Sequence, residues 1–167
     1  MRASLRSIWF RNAIFGVEDS LISTLGLLAG LAVADAERAT IILTGVVLIA
    51  VEAFSMGVGS LLSEHSVEEL ESRRTLPMRK AASGGAVMFV SYVAAGFIPL
   101  GPYAIFPVSH ALWYSVIGTL GALFVLGVLV AWESRTRMIR HGCEMLLFGG
   151  AAIAVGMIVG RLAQIAM

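Results

Sequence analysis

Four side chains in two short stretches carry most of the chemistry available to this chain. "FGVEDSLISTLGLLAG" (residues 15–30) places Glu18 and Asp19 together at the edge of an apolar run, and "VEAFSMGVGSLLSEHS" (residues 51–66) places Glu52 and Met56 inside another. In an α-helix Glu52, Met56 and Ser60 share a face at i, i+4 and i+8. Carboxylate oxygens with a thioether suit a borderline divalent cation: the oxygens supply charge, and the soft sulfur favours Fe²⁺ and its later neighbours over Mg²⁺ or Ca²⁺. This chemistry does not separate iron from manganese. A carboxyl group that takes up a proton as the metal leaves would couple cation movement to proton counterflow. The bland alternative is that Glu18 and Asp19 cap a helix or reach back to lipid headgroups, and that Met56 only packs.

The elements that must position these groups follow from composition. Of 167 residues, 58% are hydrophobic and 14% charged, with a mean hydropathy of +0.88, where a soluble domain carries about 25% charged residues. Five apolar stretches, about 12–34, 39–63, 81–99, 110–132 and 143–165, each suffice to cross a hydrocarbon core of ~30 Å as a helix. The expected fold is therefore an all-α membrane protein, one five-helix transmembrane domain over 1–167. Of twelve basic residues, ten fall before the first stretch or in the second and fourth connections; only Arg38 and Arg161 fall on the opposite side. The positive-inside rule then predicts a cytoplasmic N-terminus and a C-terminus across the membrane. Trp9, Trp132 and Trp113 fall at the boundaries, as interfacial indoles do.

Depth can be estimated on that frame. Asp19 lies about 12 Å inside Arg11 at ~1.5 Å per residue. Met56 lies about 12 Å inside Glu64, and Glu52 roughly one turn deeper. Two antiparallel helices would bring Asp19 and Met56 to one level with Glu52 just beyond. A charge at the centre of a membrane helix costs about 2.5–3.5 kcal/mol on insertion scales, and such residues commonly line pathways or bind ions.

Other classes fare worse. The single Cys143 excludes an intramolecular disulfide and a cysteine-cluster metal site. His65, His110 and His141 lie in separate connections with no nucleophile constellation, so no enzyme is expected, and the scattered basic residues predict no nucleic-acid partner. The N-terminus does not read as a cleavable signal, because Arg11, Glu18 and Asp19 interrupt its apolar stretch. Two further readings stay open: a small proton-coupled multidrug exporter, which would want an aromatic-lined cavity, and a non-transporting membrane scaffold whose acids form structural hydrogen bonds.

The two motifs together resemble the vacuolar iron transporter family, whose members are five-helix, dimeric divalent-metal/proton antiporters. The resemblance is strongest over residues 12–66, and "HGCEMLLFGGAAIAVGMIVG" is similar more loosely to the family's Gly-rich last helix. It implies proton-coupled export of Fe²⁺ or Mn²⁺ from the cytoplasm, with Asp19 and Met56 facing the metal pathway. It implies no permanent cofactor: the metal is substrate and H⁺ the coupling ion, with membrane lipid and a second copy of the chain as partners. Two departures stand out. Where many members continue "SMxxGE", this chain has Ser60 in place of the glutamate, whose charge Glu52 would replace. The long metal-binding region that plant and fungal-type members carry between helices two and three is reduced to residues 64–80. Within it Glu64, His65, Glu68 and Glu71 form either a small metal-collecting patch or a solvated amphipathic connector. Glycines spaced four apart, Gly26/Gly30 and Gly156/Gly160, with Gly57, Gly59, Gly118, Gly121 and Gly149, allow the close helix approach that a two-fold dimer needs. The short connections suggest a plasma rather than a vacuolar membrane.

Overall fold

A computed structural model describes residues 5–72 and 78–166, without the side chains of residues 68, 71, 72 and 80. Five helices account for the regular structure of the described residues: α1 (Leu5–Val33), α2 (Arg38–Ser72), α3 (Arg79–Ile105), α4 (Val108–Glu133) and α5 (Met138–Ala166). All five are long and apolar enough to cross a bilayer. Forming helices satisfies the backbone polar groups within each segment, which hydrocarbon requires.

The helices outrun the apolar stretches. α1 starts at Leu5 rather than near residue 12, α2 runs to Ser72 rather than 63, and α5 starts at Met138 rather than 143. Hydropathy marks the part of a helix in hydrocarbon, whereas the hydrogen-bonded turns continue into the polar boundary. α3 also passes through Pro99 and Pro102 to Ile105, where a loop over 100–109 was expected. A proline removes one N–H donor, and neighbouring helices can satisfy the groups so freed. The carbonyls so freed are those of Ala95 and Ile98; the prolines' own carbonyls are held, that of Pro99 by Ser115 Oγ of α4 at 2.7 Å and that of Pro102 by Phe106 N–H at 2.9 Å.

Polar contacts tie the two ends. At one end Arg6 pairs with Glu133 at 3.0 Å and the Trp9 indole donates to Ser83 Oγ at 3.0 Å, fastening α1 to α4 and α3. At the other, Gln164 donates to Asp35 Oδ2 at 2.5 Å, and Arg38 donates from Nε to the Tyr103 carbonyl at 2.7 Å while also reaching the Ala104 carbonyl. The helices therefore alternate in direction. The end holding Arg6 and Arg11 also holds Arg79, Arg135, Arg137 and Arg140.

α1 is the interior helix. It packs chiefly against α3 and α5, while α2 leans on α3 and α4 on α5. Leu21, Leu25, Leu28 and Ala29 are fully buried along it. The spaced glycines, read above as dimer-forming, are taken up within the chain. Gly30 faces Gly156 so closely that a Cβ there would stand 2.7 Å from the Gly156 carbonyl, and a Cβ on Gly156 or Gly160 would run into the Gly26 or Gly30 carbonyl. This is an α1–α5 seam of backbone against backbone. A second close approach joins α2 to α3, where a Cβ on Gly85 would stand 2.5 Å from the Gly57 carbonyl oxygen. Gly59, Gly118 and Gly121, by contrast, have no atom within 4 Å of an added Cβ.

Candidate functional site

The half of α1 and α2 nearest the basic end does not close. α1 and α2 meet far less extensively than either meets α3, and between them lies a cleft of about 880 Å³. Arg11, Asn12 and Glu18 line it from α1; Met56, Ser60 and Glu64 line it from α2. The helical repeat explains the set: Met56, Ser60 and Glu64 recur every four residues on one face of α2. Met88 of α3 contributes a second thioether to the wall.

Two bridges span the cleft. Ser60 Oγ donates to Asn12 Oδ1 at 3.0 Å, and Arg11 forms an ion pair with Glu64. Asn12 is buried, and its Nδ2 has no hydrogen-bond partner among the described residues. Ser60, where the resemblance leads one to expect a glutamate, thus stands in a neutral hydroxyl–amide pair. Neither Asn12 nor this bridge was anticipated from sequence; the signal available was a polar residue on each helix at the same remove from the basic end.

The four membrane residues singled out from sequence separate into two groups. Glu18 and Met56 share the cleft, whereas Asp19 and Glu52 are not part of its lining. Neighbours on a helix point about 100° apart, so Glu18 and Asp19 serve different surroundings. Asp19 lies within electrostatic reach of Glu52, and both lie within reach of Tyr92 on α3. Tyr92 is held to α1 twice: its hydroxyl shares a 2.7 Å hydrogen bond with Ser23 Oγ, and its carbonyl accepts one from Ser20 Oγ at 2.7 Å. Asp19 and Ser23 are one turn apart, so the tyrosine fixes the same face that carries the aspartate.

The suggested patch over residues 64–71 does not converge where it is described. Glu64 faces Arg11 in the cleft, while His65 pairs along its own helix with Glu69 at 3.4 Å. The side chains of Glu68 and Glu71 lie outside the described residues. Among the described residues no three His, Cys, Asp or Glu side chains gather into a metal-holding group. The cleft offers carboxylates, a hydroxyl and thioethers, with no closed ligand cage among the described residues.

Five spanning helices, with a cleft between α1 and α2 lined by Glu18, Glu64 and Met56, define a multi-pass membrane protein. The family model for the VIT family matches residues 10–80 and 68–161, and the chain belongs to that family. It is similar to vacuolar iron transporter homolog 2 of Arabidopsis thaliana, 28% identical over 91% of this chain and 83% of the relative. It is also similar to vacuolar iron transporter 1 of the same plant, 24% identical over 92% and 86%, and to vacuolar iron transporter homolog 5 of Oryza sativa, 27% over 90% and 78%. The alignment with vacuolar iron transporter 1 extends over 214 residues, against 169 for homolog 2. The former therefore carries residues inside the matched span that this chain lacks. The relatives' names refer to vacuoles, so they lend no support to the plasma membrane suggested by the short connections.

Proposed function

We propose that this protein carries a divalent metal ion, Fe²⁺ or Mn²⁺, out of the cytoplasm across its membrane in exchange for protons. The observation that carries the reading is the meeting of Glu18 and Met56, from the two family-like motifs, on opposite walls of one cleft. The cation leaves water at the basic end and exchanges hydration for the Glu18 carboxylate and the Met56 sulfur. Asp19 and Glu52, one step removed and in reach of each other, hold charge while the metal is near and a proton when it has gone. Beyond the cleft, Asp19 is the main charged and proton-exchanging group on the path; within the cleft, Met56 sets which metal is preferred. The Ser23–Tyr92 hydroxyl pair keeps the Asp19 face in register. A second copy of the chain supplies the remaining ligands, since one chain gathers too few to replace a hydration shell of about six oxygens.

A multidrug exporter remains the second reading, because Phe10 and Phe15 also line the cleft and aromatic walls suit organic cations. One assay separates the two. Purified protein in proteoliposomes under an imposed pH gradient is tested with Fe²⁺, Mn²⁺, Co²⁺, Zn²⁺ and tetraphenylphosphonium. Uptake of Fe²⁺ or Mn²⁺ with proton counterflow is expected. Uptake of the organic cation alone would replace this reading by the second, and no proton-coupled flux of any cation would leave only a scaffold.

A further inference from the structure

Resting on that transport reading, we propose that Glu64 is the first carboxylate an incoming divalent cation meets, and that Arg11 is a resident cation which the metal must displace from it. The pair joins α1 to α2 across the cleft near its basic end, and both residues belong to the lining. Its two halves differ in surroundings. The Arg11 side chain is 66% exposed, whereas that of Glu64 is 15% exposed. The guanidinium can swing into water at little cost, while the carboxylate stays in the wall. A mostly buried carboxylate is costly to leave unpaired, so Arg11 departs only as another cation arrives.

The pair is made by Arg11 Nη2 and Glu64 Oε1. What holds Arg11 is charge attraction, which a competing ion can supply. At equal separation a doubly charged ion attracts a carboxylate twice as strongly as a singly charged one. The resident guanidinium therefore yields to a divalent metal and resists Na⁺ or K⁺, so that the mouth itself discriminates by charge. The next rung inward is the neutral Ser60–Asn12 bridge. A neutral step between two acidic ones keeps an ion from being trapped at the mouth, as conduction through successive sites requires.

The test is initial-rate uptake by proteoliposomes of Mn²⁺, and of Fe²⁺ kept reduced with ascorbate, for wild type, Arg11→Gln, Glu64→Gln and the double variant. Arg11→Gln is expected to lower the half-saturating metal concentration about two- to five-fold, the range a partly exposed ion pair supports, and to increase inhibition by K⁺. Glu64→Gln is expected to raise the half-saturating concentration, and the double variant to match Glu64→Gln alone, since Arg11 then has nothing to occupy. An ion pair that merely braced the helices would lower the rate in both single variants without moving half-saturation, which would overturn the proposal. Independent, additive effects in the double variant would do the same. Should Arg11→Gln fail to assemble, Glu64→Gln decides alone: an unchanged half-saturating concentration overturns the capture role. Wild type without any uptake would overturn the transport reading and this one together, whereas normal wild-type uptake with an unaltered Arg11→Gln overturns only the displaced-cation role.

Discussion

Glu18 and Asp19 are adjacent carboxylates with separate surroundings, and their variants should differ accordingly. Asp19→Asn keeps the shape and removes the charge beside Glu52 and Tyr92. It is expected to abolish proton-coupled uptake while leaving the protein folded; the helix-capping role considered from sequence falls away, because α1 starts at Leu5 and Asp19 stands mid-helix. Glu18→Gln, on the cleft wall across from Met56, is expected to be milder and to act mainly on half-saturation. Flux against metal concentration for both variants checks the ranking, and an active Asp19→Asn beside an inactive Glu18→Gln would reverse the roles. Met56→Leu keeps apolar volume and loses the thioether, so it should weaken Fe²⁺ uptake more than Mn²⁺ uptake in a paired assay. Residue type and depth were enough to single out these groups, because a charge in hydrocarbon is conspicuous in any sequence. Rotation about the helix axis was not legible, and it decides that Glu18 rather than Asp19 shares the cleft. The Asn12–Ser60 bridge escaped for a related reason: small neutral polar residues cost little in a membrane helix and so draw no notice.

The helices themselves were legible as long apolar runs, but their ends and partners were not. A run of Leu, Val and Ala reports where hydrocarbon lies, and the turns of α1 around Trp9 or of α2 beyond Ser63 lie past that signal. Glycines spaced four apart say that a backbone can approach, without saying whose. Here Gly26 and Gly30 are used by Gly156 and Gly160 of the same chain. Gly156→Leu should accordingly destabilise the single chain by about 1–3 kcal/mol, the usual cost of overpacking a close contact. Fluorescence-detected gel filtration after graded heating would show it as a lower midpoint and reduced folded yield. Gly118→Leu and Gly121→Leu, on the open side of α4, should leave that midpoint unchanged. If either instead lowers association in membrane cross-linking, that face is where the second copy sits.

At the scale of the whole chain, alternation of the five helices puts the described arginines at residues 6, 11, 79, 135, 137 and 140 at one end, and the positive-inside rule assigns that end to the cytoplasm. Reporter fusions at Met1 and Met167 are expected to report opposite sides of the membrane; both on one side would contradict an odd number of crossings. The contact of Gly57 with Gly85 bears on how the cleft could open. It is the place where α2 rests on α3 without side chains between, and it is next in sequence to Met56. It is therefore a fulcrum, with the sulfur almost on the pivot and Glu64 out on the arm, about 10 Å away at ~1.5 Å per residue. A tilt of roughly 10° would carry Glu64 about 2 Å while Met56 scarcely moved. Leverage of this kind would let the gap between α1 and α2 widen or narrow at its basic end while Met56 keeps its place.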